Sequence, residues 1–235
     1  MKKIILSLLS YALIQTASAQ KAEEVFQKHI QAIGGKELIQ SVTDLTLSMT
    51  TETPRGVSET EMKYKMPEKY AMSVFANGMQ VMSMTYDGTQ LTSSSPWGGG
   101  AQKPITGAAA RGEVLRSHPF AELIYLDQNI KPSSVETIQE NGVEMIKVQF
   151  DWEGQTWTNV YDSQTGLKKY VTAKAKTPRG EFESKVIFED YKKFKGSDLL
   201  FPAKRQQTTG MGNVTSTLAS IKVNKGLKDK EFSAN

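Results

Sequence analysis

EMKYKMPEKYAMSVFANGMQVMSMTYDG, residues 61–88, alternates apolar and polar side chains through most of its length. Met62, Tyr64 and Met66 are interleaved with Lys63 and Lys65, and Met72, Val74 and Ala76 repeat the period in the next segment. A period of two belongs to a strand with one buried face. Asn77-Gly78 and Asp87-Gly88 punctuate the run, and such dipeptides favour tight hairpins because both residues tolerate positive φ. The stretch therefore predicts antiparallel strands joined by short turns, with sequential neighbours side by side.

The pattern extends in both directions. Upstream, Leu45, Leu47 and Met49 alternate with Thr46, Ser48 and Thr50; Pro54-Arg55-Gly56 follows as a turn. Downstream, strand patterns run over Met145–Phe150, Trp157–Tyr161, Tyr170–Ala175, Phe182–Phe188, Leu199–Thr208 and Val214–Val223, with Asn141-Gly142 and Pro178-Arg179-Gly180 as further turns. Two segments depart from this period. Ala22, Val25, Phe26, His29, Ile30 and Ile33 share one face at helical spacing, ended by Gly34-Gly35, with a further turn expected over Lys36–Gln40. Ser93–Gly107 is rich in Ser, Pro and Gly and reads as irregular, and Ala108–Leu126 reads as helical with a break at Pro119.

The N-terminus has the layout of a secretory signal. Lys2 and Lys3 precede an apolar run, Ile4 to Ile14, and Ala17-Ser18-Ala19 supplies the small-residue cleavage pattern. The run is shorter than the roughly 20 residues of a spanning helix. Cleavage after Ala19 removes 19 of 235 residues and leaves 216, in one domain over residues 20–235. Without Lys2 and Lys3 there are 27 basic residues against 25 acidic, and the five arginines are scattered. No nucleic-acid surface is expected from that distribution. The chain has no cysteine, so it has neither disulfides nor a lipidated cysteine, and a bacterial periplasm is the compartment that fits.

Catalytic patterns are missing from the sequence. There are two histidines, His29 and His118, and no G-x-S-x-G. His29 reads as a packed boundary histidine on an apolar helix face, and two distant histidines do not make a zinc site. Gly107–Gly112 has phosphate-loop glycine spacing, but Glu113 stands where the lysine belongs. No catalytic residue, metal or cofactor is assigned, although carboxylates brought together by strands are not visible in a sequence. The positive signal is methionine: seven of the ten fall between Met49 and Met84. Methionine is flexible and polarizable, which suits either gap-filling in a core or a surface for varied apolar guests.

Several short motifs follow one another in a fixed order. They are Phe26-x-x-x-Ile30-x-Ala32-Ile33-Gly34-Gly35, Tyr86-Asp87-Gly88, Tyr161-Asp162-x-x-Thr165-Gly166-Leu167 and Asp190-Tyr191, then Gly196 with Leu199-x-Phe201-Pro202, and finally Val223-Asn224 with Phe232. In this order they resemble the Bacteroidetes branch of the LolA/LolB-like outer-membrane lipoprotein-sorting proteins, and also domains attached to some insulinase-like zinc peptidases. The resemblance implies a mainly β (α+β) chain. Its single incomplete antiparallel β-barrel would have about 11 strands wrapped around N-terminal and lid helices. In that family the hollow shelters lipid acyl chains.

On this reading Met62, Tyr64, Met66, Met72, Val74, Met82 and Met84 line the apolar hollow, and Leu115, Phe120, Leu123 and Ile124 form its lid. The partners implied are lipid or lipoprotein acyl chains, with peripheral membrane contact at most, and the lack of a cysteine favours a soluble periplasmic carrier over an anchored receptor. A non-catalytic interaction module for an envelope protein, such as a peptidase, is the alternative.

Overall fold

The computed structural model describes residues 20–53, 56–96, 100–152, 155–177, 180–209 and 212–233. The expected signal segment 1–19, the turn residues Pro54-Arg55 and Pro178-Arg179, and Gly98-Gly99 lie outside them. Helix α1, residues 20–33, buries Ala22, Phe26, Ile30 and Ile33 along the stripe that the spacing predicts. It ends where the Gly35 amide donates back to the Ile30 carbonyl at 2.9 Å, and α2 (Lys36–Gln40) follows.

The chain then makes a meander: β1 (Asp44–Thr53), β2 (Gly56–Lys65), β3 (Lys69–Ala76), β4 (Met79–Tyr86), β5 (Gln90–Ser95), β6 (Gly100–Ala101) and β7 (Ile105–Thr106). Helices α3 (Gly107–Ser117) and α4 (Ala121–Asp127) intervene, broken at His118-Pro119-Phe120 as expected. A second meander follows: β8 (Ser134–Glu140), β9 (Val143–Trp152), β10 (Gln155–Asp162), β11 (Lys168–Thr177), β12 (Gly180–Lys193), β13 (Leu200–Thr209) and β14 (Gly212–Val223). Asn77-Gly78 and Asn141-Gly142 have positive φ at both positions, the geometry that a tight hairpin needs. Asp87-Gly88 behaves differently. The Asp87 carboxylate accepts from the amides of Thr89 and Gln90, so a side chain closes this longer turn.

All 14 strands join one antiparallel sheet, in the order β6-β5-β4-β3-β2-β1-β14-β13-β12-β11-β10-β9-β8, with β7 also on β5. The first and last long strands pair, Leu45 against Val223 among others, so the two meanders meet in the middle and β6 and β8 are the free edges. The sheet is open, as an incomplete barrel must be. It has three strands more than expected. Two of them, β6 and β7, are two-residue pieces inside the segment read as irregular, too short to show any period.

The α3–α4 connection runs from one edge region to the other, and α3 touches β5 and β7 on one side and β10 on the other. The interior is divided accordingly. One buried cluster joins α1 and α2 to β1, β2 and β13 through Ile30, Ile39, Leu45, Leu47, Met62, Tyr64 and Phe201. The other joins α1 and α4 to β9–β11, where the rings of Phe26, Tyr125, Phe150 and Trp157 contact one another in series and Tyr161 meets Phe26 edge-on. The C-terminal end is tied in: Asp44 accepts from the amides of Lys225 and Gly226, and Phe232, in the 3-10 turn Asp229–Phe232, is buried.

Candidate ligand-binding site

Strand register decides which predicted residues share a face. Met62 pairs with Met72 and Met72 with Met84, forming one row across β2–β4. The next row is Thr60, Val74 and Met82, and the row on the other side is Tyr64, Tyr70 and Tyr86, continued by Leu91 of β5. These rows face the helices, while Lys63, Ser73 and Ser83 alternate onto the outer face. Burial is graded along them. Tyr64 and Met62 are buried, whereas Met66, Met72, Val74, Met82 and Met84 are half-buried.

Met62, Tyr64, Met66, Met72, Met84, Phe120 and Leu123 therefore belong to one packed group. Val74 and Met82 lie beyond it on the next row. Leu115 and Ile124 are placed in the other cluster, against Trp157 and Phe150. All four expected lid residues are buried. Each large apolar side chain buried this way contributes roughly 1.5–3 kcal/mol, so the segment is held as part of the core.

Polar contacts hold that segment across the gap between the sheet's two arms. Arg111 of α3 makes a two-pronged contact with Glu68, in the β2–β3 turn, at 2.6 Å through each nitrogen. Its guanidinium also lies over the Trp152 ring of β9, 5.4 Å from the centroid. Gln155, at the start of β10, donates to the Ala109 carbonyl at 2.9 Å.

A cavity of about 40 Å³ lies between the α3–α4 junction and β12–β13, far below the roughly 150 Å³ that admits benzene. His29, His118, Phe120, Lys168, Phe188 and Arg205 are among its walls. A larger concavity, about 580 Å³, lies over the polar outer face of β2–β5, lined by groups such as Glu61, Lys63, Ser73 and Ser83. The half-buried methionine and valine rows lie outside the walls of both.

Beside the small cavity is a buried charged group that the sequence did not disclose. Glu122 of α4 accepts from the Tyr161 hydroxyl at 2.5 Å and the Lys168 ammonium at 2.6 Å. Burial pushes its carboxyl up, but Lys168 and His29 outweigh that and hold it at about 2. His29 Nδ1 donates to the Gly166 carbonyl at 2.9 Å, and its Nε2 lies 3.6 Å from Glu122. Burial lowers the His29 pKa by more than Glu122 restores. Gly166 permits this approach of α1: it has φ +74°, and a Cβ there would sit 2.9 Å from the Lys28 carbonyl oxygen. Among the described residues no group of three or more His, Cys, Asp or Glu is placed to hold a metal ion.

His118, at the junction of α3 and α4, is also buried, and desolvation lowers its pKa from 6.5 to about 4. The unfolded chain then binds a proton that the folded chain refuses between those two values. Stability should be full above pH 6.5 and fall as pH drops toward 4, by on the order of 3 kcal/mol from this group alone. Urea midpoints measured from pH 7.5 to 4 should show this slope, with His29 adding in the same direction. In His118→Asn the slope should shrink by about one proton.

An open antiparallel half-barrel wound around an N-terminal helix and a helical crossover is the LolA-like fold. The chain superposes on a LolA superfamily protein from Nitrosomonas europaea with TM-score 0.56 at 12% identity, covering 92% of this chain and 98% of the other. A DUF1329 family protein from Desulfovibrio piger gives TM-score 0.54 at 11% identity over 92% and 97% of the two chains. No protein-family model and no curated protein matches the sequence. At such identities the likeness establishes the fold. Among the described residues no helix is long and apolar enough to cross a membrane.

Proposed function

We propose that this protein is an exported periplasmic carrier that binds acyl chains of lipids or lipoproteins in the cell envelope, without catalysing a reaction. The motif order in its sequence resembles that of the Bacteroidetes branch of LolA/LolB-like proteins. One observation carries the reading. The concave face continues outward from the packed core as the half-buried rows Met72–Met84 and Val74–Met82, set opposite a polar outer face. Flexible thioethers adjust to apolar guests of differing shape. Each methylene removed from water there contributes about 0.8 kcal/mol, so a long chain gains on the order of 10 kcal/mol before its ordering costs. Met62 and Tyr64 form the floor of the trough, and Leu115, Phe120, Leu123 and Ile124 close its end.

Protein purified from a native periplasm and extracted with organic solvent should release lipid in near-stoichiometric amount by mass spectrometry. Met72→Lys should lower retention of a fluorescent acyl probe at least fivefold. An extract free of lipid, with no binding of the probe, removes the carrier reading. Val57 and Met79, exposed at the starts of β2 and β4, favour a second reading as an interaction module. A co-purifying envelope protein in place of lipid supports it.

A further inference from the structure

Two hydrogen-bond donors at the inner wall of the half-barrel have no acceptor. Arg205 of β13 is half-buried on the concave face, where register sets it against Phe188 and Ser216. Its guanidinium lies 5.7 Å from the Phe188 ring centroid, and one terminal nitrogen is 3.8 Å from the Met62 sulfur. Its Nε has no partner, and among the described residues no carboxylate is within ion-pair distance of it. A guanidinium carries its charge at all ordinary pH. A cation held in apolar surroundings without a counter-charge is costly.

His118 is the second donor. Its Nδ1 accepts from the Phe120 amide at 3.1 Å, which places the proton of the neutral ring on Nε2. That Nε2 is buried and unpartnered, and burial keeps the ring neutral at ordinary pH. Both residues line the same 40 Å³ cavity, together with Phe120, Phe188 and Phe201. The other charged groups on its wall are already engaged: Lys168 with Glu122, and Arg116 with Glu113. Met62, which Arg205 touches, begins the methionine row of the proposed trough.

We infer that Arg205 and His118 form an oxyanion anchor at the inner end of the trough, so that the preferred guest is an acyl chain bearing a carboxylate or phosphate. The inference rests on the carrier reading and narrows it to acidic amphiphiles. The cavity accommodates a few water-sized groups, enough for oxygens of a head group and too little for the chain, which lies along Met62, Met72 and Met84. The two donors, unpaired without a ligand, gain an acceptor on binding, and this makes the discrimination large.

The test compares matched amphiphiles by isothermal titration on the purified, delipidated protein, below their micellar concentrations. Oleate should bind at least tenfold more tightly than oleyl alcohol, and oleoyl lysophosphatidate at least tenfold more tightly than monoolein. Arg205→Gln should bring these ratios close to one, and Arg205→Lys should retain most of the preference. If acids and neutral partners bind alike, the anchor is overturned and the carrier stands. If none of the four binds, both fall. Inorganic phosphate alone binding as tightly as the acyl acids also overturns the inference, because the donors then serve a free anion. The ratio in the unmodified protein decides the matter even if Arg205→Gln does not fold.

Discussion

Replacing Glu122 with leucine should destabilise the protein by about 3–5 kcal/mol, the usual consequence of removing one partner of a buried ion pair. Glu122 is fully buried, and the Lys168 side chain is 7% exposed. The substitution leaves that ammonium beside Tyr161 and His29 without a counter-charge. It also removes the acceptor of the Tyr161 hydroxyl. For a chain of this length, each kcal/mol shifts the melting temperature by roughly 2–4 °C, so a fall of roughly 10 °C is expected. The double variant Glu122→Leu with Lys168→Leu should recover most of the loss, because two apolar side chains replace the pair without stranding a charge. Urea unfolding followed by circular dichroism measures both. A single variant within about 1 kcal/mol of the parent would falsify the assignment of Glu122 as the essential counter-ion.

The second large effect lies in the aromatic series. Trp157→Ala should cost about 3–5 kcal/mol, the range for a buried tryptophan truncated in a core. Trp157 is 1% exposed and stacks on Phe150 with centroids 4.9 Å apart and planes 10° from parallel. Gly112 of α3 lies over the same ring: a Cβ built there would be 3.7 Å from Cζ3. Truncation therefore loosens both the β9–β10 wall and the seat of α3. Trp157→Phe keeps the stack and should lose much less. Hydrogen exchange should show faster opening of α3 in the alanine variant before any change in β1–β2, since those strands belong to the other cluster.

Much of this fold is legible in the sequence because its signals are local. The alternation in Met62–Met66 and Met72–Ala76 reports which side chains turn inward, and Asn77-Gly78 reports where the chain reverses. The helical stripe from Ala22 to Ile33 works in the same way. The two-residue strands β6 and β7 escaped because pairing at that length depends on the partner strand alone. For the binding surface, alternation identifies the inward set but carries no measure of depth. Met62 and Met72 look alike in sequence, and the first is buried while the second is half-open, since α3–α4 and Arg205 cover only one end of the row.

Antiparallel strands, helix positions and the inward set of methionines follow from the chain alone, because each depends on residues within a turn or a strand of one another. The tertiary structure alone decided three matters. One is the pairing of β1 with β14, which joins the two meanders into one open sheet. Another is the meeting of Glu122 with Lys168, and the third is the isolation of Arg205 beside His118. These join residues far apart in the chain, and burial sets their energies. A charge that is unremarkable in water becomes structural, or a binding group, only once the fold has excluded water around it.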